Sequence, residues 1–355
     1  VLLIYGANGY TGQLIVDECL RRGLRPVLAA RRLASLASVA SGYGAPTLET
    51  RAFALDDPAA VARGLEGVRV VLHAAGPFVR TSAPMIAACL ARQVHYLDIT
   101  GEIVVFERCR ERDAEARARG ILVLPGVGFD VVPTDCLAAR LAAALPGATS
   151  LELGFAGGGS TSRGTLKTMV LGLPDGGAVR EGGRIVRVPA AWKTRPLPFR
   201  DRTRTGVTIP WGDVSTAHWS TGIPDIRTYL ALPSGVRRSL RMLGVVAPLL
   251  RLAPVRALAE RMIDAWVTGP SPEVRATARM QIWGRVTHPD GRALEGTAET
   301  PEGYRFTAVS AVESARRVLT EPPRTGYQTP STAFGAGFLE SLPECTLALG
   351  TVTHG

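Results

Sequence analysis

The chain has 355 residues, enough for two domains, and 46% of them are hydrophobic with few aromatics, so a large aliphatic core is expected and wholesale disorder is excluded. Its formal charge of +10 comes mostly from arginines spread along the sequence without interleaved aromatics, which argues against nucleic-acid binding. No apolar run reaches the roughly 18 to 20 residues that cross a bilayer, and the apolar start leads straight into a turn rather than forming a signal region. The five cysteines, Cys19, Cys89, Cys109, Cys136 and Cys345, are scattered without a C-x-x-C, so reduced thiols in a cytoplasmic protein are expected, with no disulfide framework and no metal site.

The first element is the apolar run Val1-Leu2-Leu3-Ile4-Tyr5, a buried strand, followed by Gly6-Ala7-Asn8-Gly9-Tyr10-Thr11-Gly12 and a helical segment over 13–22. This reads as a dinucleotide-binding turn. Gly6 lets the chain reverse tightly, Gly9 lets the backbone approach a pyrophosphate, and Gly12 lets helix and strand pack closely. Amides at the helix start, with its positive dipole end, would hold the phosphates without a basic side chain. The spacing is G-x-x-G-x-x-G instead of the usual G-x-G-x-x-G, so the surroundings must carry the assignment.

They do, because strands and helices alternate regularly through the next hundred residues. Strands are predicted at 26–30, 47–55, 68–74, 94–99 and 121–124, with helices from about 33, 58, 81 and 102 between them. Asp57-Pro58 supplies an N-cap with proline at the first helical position. Such alternation implies a parallel sheet with right-handed crossovers and helices on both faces. After a helix over 133–145 the character changes. A strand at 151–155, a Gly/Ser/Thr loop at 157–162 and an alternating hairpin over 274–299, turning at Pro289-Asp290-Gly291, suit a second α+β domain with antiparallel strands. The predicted class is therefore α/β, a Rossmann-type doubly wound parallel sheet with a second α+β domain.

Between these, 234–267 is helical in pattern, with Leu240, Leu249, Leu258, Met262 and Trp266 set against Arg237, Arg241, Arg251, Arg256 and Arg261, and with breaks at Pro248 and Pro254. It reads either as core-facing helices with solvated arginines or as a basic amphipathic segment for a membrane surface or an acyl lid.

Cofactor choice is set at the end of the second strand, where Arg31-Arg32 stands in place of an acidic residue. Guanidinium groups suit a 2′-phosphate, so NADP(H) is expected over NAD. Asp56 is expected either at the adenine edge or helping Asp57 to cap the next helix. Ala75-Gly76-Pro77-Phe78 lies at the carboxyl end of strand four, where the nicotinamide should sit. Tyr96-Leu97-Asp98-Ile99-Thr100-Gly101-Glu102 ends strand five on the same rim; Asp98 and Glu102 read as acids or as capping groups.

These landmarks, in order, with His95 before Tyr96, together with Pro125-Gly126-Val127-Gly128-Phe129-Asp130-Val131-Val132-Pro133-Thr134-Asp135 and Gly326-Tyr327-Gln328-Thr329-Pro330-Ser331-Thr332-Ala333-Phe334-Gly335, resemble those of saccharopine dehydrogenase-like oxidoreductases, and most of all their trans-acting enoyl reductase branch. The resemblance implies a Rossmann domain, an inserted domain and a terminal segment returning to the first. On that basis 1–134 is expected to bind NADP(H), 135–324 to serve substrate and dimerisation, and 325–355 to return to the Rossmann domain. It also implies hydride transfer from NADPH to the C=C bond of an enoyl thioester in polyketide-type lipid assembly, with an acyl carrier or polyketide synthase as partner and a homodimer as assembly.

For that chemistry the oxygen of the thioester needs donors, and Tyr96, Thr100, Ser160, Thr161, Thr165 and Lys167 are the candidates. His218 and Tyr229 read as structural, and no Ser-Tyr-x-x-x-Lys arrangement is visible. Two rivals stay open. One is a saccharopine-type amino-acid or imine oxidoreductase, with Arg163 and Arg227 clamping a carboxylate; the other is a non-catalytic cofactor-binding scaffold or lipid-surface protein using 234–267.

Overall fold

A computed structural model describes residues 1–42, 48–157, 162–235, 247–267 and 269–354. They divide into two units, Val1–Val132 with Tyr304–Ala333, and Pro133–Gly303 with Phe334–Gly355.

In the first unit, strands β1 (Leu2–Tyr5), β2 (Val27–Ala30), β3 (Thr50–Ala52), β4 (Val70–His73), β5 (His95–Asp98) and β6 (Leu122–Leu124) alternate with helices. These helices include α1 (Tyr10–Arg21), α2 (Ala34–Ser41), α3 (Pro58–Gly64) and α4 (Phe78–Arg92). The strands pair in parallel in the order β6-β5-β4-β1-β2-β3, and a short strand, Gly326–Tyr327, extends the sheet beyond β6. Leu3 of β1 lies opposite both Val27 and Val71. All four residues of β1, β2 and β4 are buried, because helices cover both faces of a parallel sheet and no strand needs a polar side. The chain order reverses between β1 and β4, which makes their carboxyl ends the switch point where such sheets bind ligands.

The fifth helical stretch is two helices, Ile103–Glu111 and Asp113–Ala118, rather than one. The helix Gly303–Thr320, expected inside the second domain, belongs to the first unit. Its buried stripe includes Phe306, Val309 and Val312, and it reaches the loop after β6: Phe129 N donates to Thr307 Oγ1 at 3.0 Å, and Ser310 Oγ donates to Val127 O at 2.7 Å.

The second unit is built on a mixed sheet of β7 (Ser150–Gly157), β8 (Gly177–Glu181), β9 (Arg184–Val188), β10 (Thr194–Pro198), β11 (Thr203–Thr208), β12 (Asp225–Ala231), β13 (Arg279–Thr287) and β14 (Arg292–Pro301). The main path runs β10-β11-β12-β7-β13-β14, with β7 parallel to β12 and antiparallel to β13. The hairpin over β13 and β14 starts later than its alternation suggested, since Pro272–Thr277 is a short helix capped by Ser271, whose side chain accepts from Val274 N. The sheet curls strongly. Leu197 of β10 packs against Gly154 of β7, three strands away along the path, and a Cβ on Gly154 would come within 2.7 Å of it. Trp283, Tyr229 and Phe199 close this small core.

The terminal segment departs from expectation. Only its start, through Ala333, stays with the parallel sheet; Thr346–Leu349 and Thr353–His354 add to β14 of the second unit. The free edge of β14 offers unpaired backbone groups, and the last residues satisfy them. Of the amphipathic stretch, 236–246 lies outside the described residues; its remainder forms a 3-10 turn, Ala247–Arg251, and the helix Ala253–Trp266. No helix among the described residues is long and apolar enough to cross a membrane.

Candidate active site

The glycine turn is shaped by close approach. Gly6 has φ +89, and a Cβ there would meet Ala75 N at 2.8 Å; a Cβ on Gly12 would overlap the Gly6 carbonyl oxygen. The turn is tied down by Gly6 N donating to Ala29 O at 2.7 Å and Gly9 N donating to Gly6 O at 2.9 Å. Ala7 is buried, whereas Asn8 and Gly9 are exposed and Tyr10 and Thr11 half-buried. Gln13 Nε2 holds the Asn8 carbonyl at 3.1 Å, and the Tyr10 ring stands edge-on to Tyr304 at 5.2 Å. Helix α1 begins at Tyr10 without a side-chain cap. A backbone cradle lacking Cβ atoms, at the uncapped start of a twelve-residue helix, is the surface a pyrophosphate needs.

Arg31 and Arg32 follow β2 with both side chains exposed, and among the described residues neither forms an ion pair. They are therefore available to a phosphate. Asp56 is exposed after β3, and the cap on α3 comes from Asp57, whose Oδ1 accepts from Ala60 N at 3.0 Å. Beneath them the Tyr5 hydroxyl donates to Phe53 O at 2.9 Å; burial pushes its pKa up to about 12, opposed by Arg31 and assisted by Asp56.

The Ala75-Gly76-Pro77-Phe78 turn is clamped from two sides. Thr81 Oγ1 donates to Ala75 O at 2.7 Å and so must accept from His73 Nε2 at 3.0 Å, which sets the imidazole tautomer. Burial among aromatic rings drives the pKa of His73 down to about 3, so the ring is neutral; its Nδ1 has no hydrogen-bond partner among the described residues. From the end of β5, the Glu102 carboxylate accepts from Phe78 N at 2.9 Å and Val79 N at 2.7 Å, capping α4 across the rim. Desolvation raises its pKa against those bonds.

Asp98 closes β5. It is fully buried and accepts from Tyr96 Oη at 2.6 Å, Thr100 N at 3.0 Å and Gly126 N at 2.9 Å, stitching the ends of β5 and β6 together. Lack of water outweighs those donors and lifts its pKa to about 6. This corrects the roles expected of Tyr96 and Thr100. Both are completely buried, Tyr96 spends its proton on Asp98, and Thr100 Oγ1 accepts from Glu102 N at 3.1 Å. In these bonds both side chains support the rim.

The rim group that sequence reasoning missed is Asp130, in the loop after β6. It is half-buried and packed on Gly101, where an added Cβ would come within 2.6 Å of its Oδ2. Burial, with the Glu102 carboxylate as a second cause, raises its pKa to about 7. Its loop is shaped by Gly126 at φ +76 and by Gly128, where a Cβ would meet Thr307 at 2.9 Å. Two glycines ahead of an acid at a strand end were the available signal.

Lys167 lies half-buried on the helix Arg163–Gly172 of the second unit. Ser160 and Thr161 lie outside the described residues, as do the side chains of Arg163 and Thr165. Arg227 of β12 faces Glu181 at 3.5 Å, and Tyr229 donates to Glu152 at 2.9 Å. No group of three or more His, Cys, Asp or Glu among the described residues could hold a metal.

Residues 2–124 match the family model described as the saccharopine dehydrogenase NADP binding domain. Over an alignment of 408 positions, covering 99% of this chain and 97% of the relative, the sequence is 26% identical to a Mycobacterium tuberculosis protein provisionally named a trans-acting enoyl reductase. Shorter matches, covering 38% of this chain in each case, are 29% identical to a bovine saccharopine dehydrogenase-like oxidoreductase and 29% identical to a trans-acting enoyl reductase of Mycobacterium leprae, spanning 35% and 33% of those proteins. Among solved structures, the fold is similar to that of apo saccharopine dehydrogenase (L-Glu forming) from Saccharomyces cerevisiae, with a TM-score of 0.64 over 99% of both chains at 11% identity. Residues 2–124 are thus an NADP-binding domain of the saccharopine dehydrogenase type, and the chain is an NADP-dependent oxidoreductase similar to the saccharopine dehydrogenase-like proteins.

Proposed function

We propose that this oxidoreductase is an enoyl reductase that saturates the C=C bond of an acyl thioester delivered on a carrier. The observation that carries the reading is Asp130, a half-buried acid packed on Gly101 at the carboxyl rim of the parallel sheet, whose pKa, raised to about 7, leaves it about half protonated at neutral pH. The full-length similarity to a protein named as an enoyl reductase supports the substrate class.

NADPH, when bound, supplies the hydride. Gly6, Ala7, Asn8, Gly9, Tyr10, Thr11 and Gly12 would hold the pyrophosphate, Arg31 and Arg32 the 2′-phosphate, and Asp56 the adenosine side. Ala75, Gly76, Pro77 and Phe78, immobilised by His73, Thr81 and Glu102, would form the wall for the reacting ring. Hydride arriving at the β-carbon leaves an enolate on the thioester, and Asp130 passes its proton to the α-carbon; the carboxylate then regains a proton from water. Burial, with repulsion from the Glu102 carboxylate as a second cause, favours the protonated form of Asp130.

The test is NADPH oxidation against enoyl thioesters and cyclic imines, with wild type and Asp130→Asn. A general acid contributes about 100-fold or more. The variant should lose about that much in kcat on enoyl thioesters with NADPH affinity unchanged, and the wild-type rate should fall as pH rises through about 7. Turnover of imines alone would overturn the substrate class, and an unchanged rate in Asp130→Asn would remove the acid.

A further inference from the structure

The helix Ala253–Trp266 in the second unit turns the wrong face outward. It packs against the helix Arg163–Gly172, and Ile263 is buried. Val255, Leu258, Met262 and Trp266, spaced 3, 4 and 4 apart, share another face, and there they are 37%, 60%, 49% and 80% exposed. The turn leading into this helix continues the patch with Leu249 and Leu252, each 55% exposed. Isolated exposed apolar residues need no explanation, but a contiguous stripe ending in an almost fully exposed tryptophan marks a surface that meets something apolar.

Charge decides what. Arg251 and Arg261 are exposed and Arg256 half-buried along this stretch, against the acids Glu260, which is half-buried, and Asp264; Arg251 also donates to Pro174 O at 3.0 Å and lies 4.0 Å from Asp175, so the stretch carries a small positive excess. The whole chain carries +10. Two copies meeting on this stripe about a two-fold axis would set these arginines against their own counterparts. An anionic lipid surface would instead meet them with phosphates while the apolar side chains enter the acyl boundary.

We infer that the exposed Val255–Leu258–Met262–Trp266 stripe, with Arg251, Arg256 and Arg261, is a docking surface for an anionic membrane. The helix lies in the interface plane, and its arginine stems extend along the acyl boundary with guanidinium groups at the headgroups. The inference is independent of the substrate proposed above, because it reads lipid binding and not turnover.

The experiment is flotation of the full chain with vesicles of phosphatidylcholine alone and of phosphatidylcholine with phosphatidylglycerol. The chain should float with the anionic vesicles, far less with the neutral ones, and be released by high salt. A Leu258→Asp/Met262→Asp double variant should lose at least about tenfold in partitioning, since apolar insertion and electrostatic attraction act together. NADPH binding by both proteins reports that the first unit is folded, and circular dichroism that the second is. Three results would overturn the inference: no flotation of the wild type, flotation unchanged in the double variant, or a wild-type dimer in gel filtration that the double variant abolishes while lipid binding is absent, which would assign the stripe to a second copy.

Discussion

At the rim of the first unit's sheet the carboxylates face uncharged donors, Asp98 taking Tyr96 Oη and the amides of Thr100 and Gly126, while Glu102 takes the amides of Phe78 and Val79; away from the rim, Glu18 on α1 pairs with Arg21 and Arg22. In the second unit's sheet, Glu152 and Glu295 instead face guanidinium groups from other strands. Glu152 pairs with Arg195, whose guanidinium lies 5.0 Å from the centre of the Trp283 ring, and Glu295 takes both Arg285 at 3.2 Å and Trp283 Nε1 at 3.2 Å. Amides at strand ends orient a carboxylate without a full opposing charge, so burial can still raise its pKa, as at Asp98. The guanidinium-paired carboxylates link strands of a curled sheet instead. One arrangement suits proton handling, the other cross-linking.

The comparison can be broken at several points. Gly12→Val should do most damage, because the new side chain must displace the backbone of the turn; NADPH binding should vanish and the stability measured by denaturant unfolding fall by about 3 kcal/mol or more. Gly23→Ala is the control, with φ +73 but nothing near its Cβ, and should cost only about 1 kcal/mol of backbone strain. Similar losses in both would show that strain, not close approach, governs the turn.

Trp283→Ala removes the centre of the small second core and leaves Arg195 without its ring, which should cost about 3 to 5 kcal/mol in denaturant unfolding. NADPH affinity measured on the folded variant should be unchanged; a loss there would undo the separation of roles between the units.

Asp98→Ala orphans the amides of Thr100 and Gly126 and the Tyr96 hydroxyl, for about 3 kcal/mol, whereas Asp98→Asn keeps an acceptor and should cost less. Equal losses in urea melts would argue that the charge, not the donors, matters.

Replacing Arg31 and Arg32 with Ala should weaken NADPH about tenfold or more, near 1.4 kcal/mol, and leave NADH almost untouched in fluorescence titrations. Equal loss for both nucleotides would detach these arginines from the 2′-phosphate.

The smallest effect is a pH slope. Asp98 and Asp130 titrate near 6 and 7 in the folded protein against an ordinary 3.8, so their protonated forms favour folding below about pH 4, and that contribution is lost as pH rises through 6 to 7. His73, lowered from 6.5 to about 3, acts oppositely and costs stability as pH falls below 6.5. Asp130→Asn should therefore flatten the decline in melting temperature between about pH 4 and 7; parallel curves for variant and wild type would contradict it.

Much of the first unit was legible because its signals are local. Continuous apolar strands, glycines at a tight turn and Asp57-Pro58 at a helix start each act within a few residues, and the strand order follows from short right-handed crossovers. The proton-holding rim was not. Tyr96 and Thr100 look like donors in sequence, but burial leaves the Tyr96 hydroxyl to Asp98 and the Thr100 hydroxyl to Glu102 N, while Asp98 also takes Gly126 N from beyond β6. Asp130 shows no local sign of its raised pKa, since the cause is the packing of Gly101 and the nearness of Glu102.

By itself, then, the sequence determined the dinucleotide fold and pointed to NADP(H), because backbone conformation and charge type are written in single residues. Tertiary structure alone decided where the chain's end goes, how β10 curls over β7, and which acid keeps its proton. Those depend on an open strand edge, on glycines that admit Leu197 from three strands away, and on the loss of water around carboxylates that are far apart in sequence.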